Sequence, residues 1–223
     1  MIRRYLLRET LSILGMAVVL FWPAGTLDWW PAWGALAVSL GWLAGTGFVI
    51  IRLHPDLLAE RLERRTGAKR WDTAIVGLIG LVTLIRYIVA GLDQRYGWSS
   101  GFSPAARLIA LAAGALGYGL FVWATAANAF FSQVVRIQTE RGHTVATGGP
   151  YRFVRHPAYL GVIAYEAAVS VLLGSWPALA LSAVSVAMLV ARTALEDRAL
   201  RAELPGYADY AVRVRSRLLP GIW

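Results

Sequence analysis

Trp33–Ile51 reads WGALAVSLGWLAGTGFVII and carries no charge along its whole length. A helix of that length rises roughly 28 Å at about 1.5 Å per residue, close to the roughly 30 Å hydrocarbon core of a bilayer. Its apolar residues form a continuous run where a soluble fold would show a periodic stripe. Outward from it lie four more runs. Leu11–Ala24 is interrupted by Pro23 and closed by Asp28, Trp71–Leu92 carries only Asp72 and Arg86, and Ala105–Phe131 carries only Arg107. Tyr159–Ala191 is long enough for two passes, with a turn at Gly174-Ser175-Trp176-Pro177. The expected fold is an all-α, polytopic membrane bundle of about six transmembrane helices, or five and a re-entrant hairpin.

Composition agrees: 57% of residues are hydrophobic and 16% charged, against about 25% in an ordinary soluble domain. Mean hydropathy is +0.54. The first run lacks a small-residue cleavage site and is expected to be a retained helix rather than a cleaved signal. No repeat, low-complexity tract or linker divides the chain, so 1–223 reads as a single membrane domain. Within it, 1–131 supplies the N-terminal transmembrane helices and 132–223 a more polar, chemistry-bearing region.

Orientation follows from the basic residues. Arg3, Arg4 and Arg8 precede the first run; Arg52, Arg61, Arg64, Arg65, Lys69 and Arg70 fill the second connection; Arg136, Arg141, Arg152 and Arg155 fill the fourth. The tail adds Arg192, Arg198, Arg201, Arg213, Arg215 and Arg217. These are alternate connections, which predicts that both termini and any pocket in the polar segments are cytoplasmic. Arg86, Arg95 and Arg107 fall opposite, Arg86 being near enough to the end of its run to snorkel to the headgroups. The net charge of +9 is explained by this orientation and by anionic headgroups, and no nucleic-acid motif accompanies it. Absence of cysteine excludes disulfides, thiolate metal sites and a thiol nucleophile, and no metal site is expected.

Leu53–Arg70 mixes charges with Leu57, Leu58 and Leu62 and reads as a short amphipathic helix on the membrane surface, or as a plain connection. Trp29, Trp30, Trp33, Trp71 and Trp98 cluster at run ends, as an aromatic belt would place them. Chemistry is expected in Ser132–His156, SQVVRIQTERGHTVATGGPYRFVRH, too polar to cross and too punctuated by Gly and Pro to be a disordered link.

That segment runs into RHPAYLG at 155–161, where Pro157 suits a first helical turn. Helical spacing puts His156, Tyr159 and Ile163 on one face, with Glu166 following. A carboxylate in a membrane helix needs a polar reason, whether a functional role or a partner on a neighbouring helix. At the end of the last run, Arg192 and Glu196 stand at i and i+4 in RTALED, a spacing that also fits a plain surface ion pair.

Together, HTVATGGPYRFVRHPAYLG, an apolar hairpin, RTALED and LPGYADY resemble the signature of the isoprenylcysteine carboxyl methyltransferase family, related to the phospholipid methyltransferases; the resemblance extends from about Asn128 to Tyr210. It implies an S-adenosylmethionine-dependent enzyme acting on a lipid-like substrate reached from the membrane, with 132–223 as the catalytic region. Carried over by position, it makes Arg136, His143, Thr144, Val145, Ala146, Tyr151, His156, Pro157, Ala158, Tyr159 and Glu196 cofactor-binding, with Gln138 as a substitute for Arg136. It makes Arg192 and Glu196 catalytic, Arg192 holding the acceptor carboxylate by a charge-assisted bond. The family's usual pair of glutamates is Glu196-Asp197 here, which weakens the case for Asp197. A carboxylate acceptor needs no general base; an amine acceptor, such as a phospholipid headgroup, would use Glu166 or Glu196. A sterol-type reductase using a nicotinamide cofactor and a non-catalytic assembly protein are the readings from other classes.

Overall fold

The computed structural model describes residues 1–62 and 67–223; Arg64 and Arg65 of the second basic cluster lie outside the described residues. Among the described residues eight α-helices follow in order: α1 Ile2–Ala24, α2 Trp30–Arg52, α3 Asp56–Leu62, α4 Arg70–Tyr96, α5 Pro104–Ala126, α6 Pro157–Leu173, α7 Trp176–Glu203 and α8 Tyr207–Arg213. Among the described residues α1, α2, α4, α5 and α7 are long and apolar enough to cross a membrane, and α6 is a shorter apolar helix of 17 residues. The structure is therefore the expected all-helical membrane bundle, with α6 and α7 as the hairpin.

Local chemistry sets the boundaries. Pro23 lies in the last turn of α1 and the helix stops one residue later. Ser103 and Ser175 cap α5 and α7, their hydroxyls accepting from Ala106 N at 3.1 Å and Ala178 N at 3.2 Å. The α6–α7 turn passes through Gly174 at φ +76°, the left-handed conformation that glycine adopts without a Cβ penalty. α5 and α6 pack most closely where Gly117 faces Gly161: a Cβ on Gly117 would sit 2.5 Å from the Gly161 carbonyl oxygen. Small residues of this kind let helix backbones approach in a membrane, where burial of apolar surface gives no driving force.

One core joins α1, α2, α4, α5 and α6 around Leu20, Ala35, Ala90, Tyr165 and Leu172. Leu11, Leu14, Val18, Leu78, Leu81, Leu108, Ile109 and Leu116 point outward, the surface a lipid-solvated bundle presents. Trp30, Trp33, Trp98 and Trp176 are exposed near helix ends, but Trp29 is buried edge-on against Phe21 and belongs to the core rather than a belt. α3 buries Leu57 and Leu58 against Tyr5 and Ile50, so the second connection does hold a short amphipathic helix.

Arg86 departs from the sequence expectation. It is 0% exposed and forms an ion pair with Glu166 of α6, so it does not snorkel. Its Nη1 also lies 3.4 Å from the Ser182 hydroxyl, which pairs with Ser170 at 2.8 Å, and its guanidinium lies over Tyr87. Hydropathy shows that an arginine falls within a run, not that a glutamate eighty positions away will meet it.

Candidate active site

The polar segment between α5 and α6 folds without strands into two short 3-10 turns, Thr139–Arg141 and Gly149–Arg152, joined by an irregular strip. His143 begins the strip and is held by its own N–H to Gln138 O at 3.3 Å and by stacking on Phe130. Backbone groups from Thr144 to Thr147 have no backbone partner among the described residues, which leaves donors and acceptors for something else. Burial, then the charges of Arg141 and Arg136, hold the His143 imidazole below the ordinary histidine pKa, favouring its neutral form.

This strip and helices α2 to α8 enclose a cavity of about 360 Å³, within the usual size of a small-molecule site. Arg136, His143, Thr144, Val145, Ala146, Tyr151, His156, Ala158, Tyr159, Arg192 and Glu196 all line it. Pro157 does not; it is buried at the first position of α6, where its ring opens the helix. Gln138 does not line it either: its side chain is 0% exposed and donates to Phe130 O at 2.7 Å. The cavity continues past Val76, Ile79, Val162 and Leu189 of α4, α6 and α7, an apolar arm reaching into the membrane-spanning part of the bundle.

Arg192 and Glu196 do not pair with each other. Arg192 Nε and Nη2 donate to the two carboxylate oxygens of Asp72 at 2.7 and 3.2 Å, and Nη2 also donates to Gln133 O at 2.9 Å. Asp72 further accepts from Val135 N at 2.8 Å, tying α4, α7 and the polar segment together. Among the described residues Nη1 of Arg192 has no partner, so one edge of the fork remains for a ligand. Its guanidinium lies 5.1 Å from the Tyr159 ring centroid, and the Tyr159 hydroxyl donates to Glu196. Glu196 is the carboxylate among the cavity's lining residues.

Its neighbour Asp197 points elsewhere, as adjacent helical residues must. It is 1% exposed and accepts from Arg155 at 2.7 Å, Tyr207 at 3.0 Å, Arg217 at 3.0 Å and Arg201 at 3.1 Å. His156 Nε2 lies 3.4 Å from the same carboxylate and 3.3 Å from the Tyr207 hydroxyl, so the imidazole both lines the cavity and joins this knot. Asp197 thus binds α7, α8, the tail and the start of α6 into one wall. Burial, then the Asp197 charge, raises the Tyr207 hydroxyl pKa and keeps it a donor. Tyr210 donates to Tyr151 O at 2.7 Å, fixing the opposite end of that wall.

Asp72, Asn128, Gln133 and Glu60 are functional-site neighbours that sequence reasoning missed. Glu60 accepts from Ser132 at 2.8 Å and forms an ion pair with Arg136; burial would raise its pKa, but these bonds win and lower it. Arg136 is also bound to Glu140 at 2.8 Å, so it braces the polar segment on α3 while lining the cavity. Glu166, paired with Arg86 in the core, does not reach the cavity.

Residues 109–202 match the family model of the isoprenylcysteine carboxyl methyltransferase family. The fold is similar to the solved structure of a eukaryotic intramembrane Ras methyltransferase, isoprenylcysteine carboxyl methyltransferase: TM-score 0.64 and 19% identity, covering 94% of this chain and 72% of that one. No curated protein matches the sequence.

Proposed function

We propose that this chain belongs to the isoprenylcysteine carboxyl methyltransferase family and transfers a methyl group from S-adenosylmethionine to the carboxylate of a prenylated cysteine or similar lipid-borne thioether. The observation that carries this reading is the continuity of one cavity, from the polar strip 143–146 and Glu196 to the apolar arm at Val76, Ile79, Val162 and Leu189. A polar cofactor and a lipid-like acceptor need those two kinds of wall in contact.

The residues present fit such a cofactor. The unpaired backbone of 144–147 suits a nucleoside edge, Glu196 suits hydroxyl or ammonium donors, and Tyr151, His156, Ala158 and Tyr159 supply flat and apolar walls. When bound, the cofactor supplies a methyl group on a sulfonium, which the carboxylate oxygen accepts as the carbon–sulfur bond breaks, giving a neutral ester and thioether with no proton to move. The protein's work is alignment and exclusion of water, since a cation and an anion that neutralise each other react more readily when dry. Arg192, oriented by Asp72, offers Nη1 to the acceptor carboxylate. Without Glu166 in the cavity, Glu196 is what an amine acceptor would have as a base, whereas a carboxylate acceptor needs none.

The basic residues of alternate connections support a cytoplasmic reading for both termini and for the polar part of the cavity. Calorimetric titration of S-adenosylhomocysteine into the detergent-purified protein, with NADPH in parallel, tests the reading. Saturable binding of S-adenosylhomocysteine alone is expected; binding of NADPH alone would replace the methyltransferase by a reductase.

A further inference from the structure

Two residues of the cavity's lining hold buried hydrogen-bond donors without a partner among the described residues. Arg61 of α3 lines the cavity while only 8% exposed, and its Nε and Nη2 find no acceptor among the described residues. Trp42 of α2 also lines it, and its Nε1 is likewise buried without a partner. The two belong to one chain of aromatic contacts: the Arg61 guanidinium lies 6.0 Å from the Phe131 ring, Phe131 meets Phe121 at 5.2 Å, and Phe121 meets Trp42 at 5.4 Å. Neither an arginine nor a tryptophan side chain can accept a hydrogen bond.

Among the described residues the carboxylates nearest Arg61 are already claimed. Glu9 is held by Arg8 at 2.5 Å, and Glu60 by Arg136 and Ser132. Arg8 donates to the Arg61 carbonyl oxygen at 2.8 Å, which fixes the backbone and adds a second positive charge nearby. Burial, with Arg8, lowers the Arg61 pKa against the opposing pull of Tyr5, Glu9 and Glu60. A guanidinium nevertheless stays charged at neutral pH, and leaving it buried without an anion is costly. The other fully buried arginines, Arg86 and Arg155, each have a carboxylate.

We propose that Arg61 binds the carboxylate of a molecule held in the cavity. The inference rests on the methyltransferase reading, which brings in two carboxylates: the amino-acid carboxylate of the methyl donor and that of the acceptor. Two guanidiniums with donors to spare, Arg61 and Arg192, line the cavity to meet them.

The test compares the parent with Arg61→Met, both full-length and folded by thermal unfolding and gel filtration. The probes are S-adenosylhomocysteine, its analogue lacking the carboxyl group, and a prenylated cysteine acceptor. If the carboxylate is the donor's, Arg61→Met weakens S-adenosylhomocysteine about 10- to 100-fold and leaves the decarboxylated analogue unchanged. If it is the acceptor's, S-adenosylhomocysteine binding is kept while the acceptor KM rises about 10- to 100-fold with kcat largely preserved. Unchanged binding and unchanged KM in the variant overturn the inference, whereas a parent that binds no S-adenosylhomocysteine overturns the methyltransferase reading instead. Should Arg61→Met not fold, Arg61→Gln carries the same comparison on the same probes, with a loss of about tenfold expected and no loss on any of them overturning the proposal.

Discussion

The same three helices, α4, α6 and α7, carry two sets of charged and hydroxyl side chains, and the sets do different things. At the polar end Asp72, Tyr159, Arg192 and Glu196 line or support the cavity. About four turns further along α4 and two along α6, Arg86 and Glu166 pair in the core with Ser182, Ser170, Tyr87 and Tyr165 around them. The ingredients are nearly alike: an arginine, a carboxylate, a tyrosine. What separates them is access, since one set borders a space that a ligand can occupy and the other is walled in by its own helices. A carboxylate in a membrane helix has a polar reason in both places: in one it borders an open cavity, and in the other it ties helices together.

The contrast breaks most visibly in the core. Glu166→Ala leaves Arg86 buried without its anion and is expected to cost about 3–5 kcal/mol of stability, read as a large fall in Tm in detergent. The double variant Arg86→Met/Glu166→Leu should recover most of that loss and keep S-adenosylhomocysteine binding; a double variant that stays folded yet loses binding would show that the core pair also serves the cavity.

At the polar end the pattern should reverse. Glu196→Ala removes a cavity carboxylate and is expected to weaken S-adenosylhomocysteine about 10- to 100-fold by calorimetry, with little change in Tm. A Tm loss as large as that of Glu166→Ala would place both sets in the same structural role.

The smallest effect is a pH dependence from the strip. His143 has its pKa lowered by burial first, then by Arg141 and Arg136, from the ordinary 6.5. Below that pH the unfolded chain takes up a proton that the folded chain resists, so stability declines as pH falls, by at most about 1.4 kcal/mol per unit for one group. His143→Phe, which keeps an aromatic ring on Phe130, should flatten that part of the Tm profile between about pH 7 and 5.

Much of the bundle was legible because membrane helices announce themselves by length and charge. The runs begun near Trp33, Trp71 and Ala105 match α2, α4 and α5, and the Gly174 turn falls where Gly and Pro placed it. The strip 143–146 and the residues Tyr159, Arg192 and Glu196 were found through a motif, and the cavity brings them together. What escaped was every contact whose partners are distant in sequence. Asp72 reads as a charge at a run's end until Arg192, 120 positions on, closes on it. Arg61 reads as one more basic residue in a connection until α3 turns it inward. Periodicity reports which face of a helix is polar, not which helix that face will meet, so the i and i+4 spacing of Arg192 and Glu196 suggested a pair that the packing does not make.

The knot at Asp197 also says something about when the site can exist. Arg217 reaches it at 3.0 Å, and the backbone N–H groups of Arg155 and His156 donate to Ser216 O and Arg217 O at 3.0 and 2.9 Å. One wall of the cavity is therefore stitched by residues synthesised after all the helices. In biosynthetic order the bundle is threaded first and the pocket is fastened last, so a chain halted before Ser216 would sit in the bilayer with one wall of its cavity unfastened.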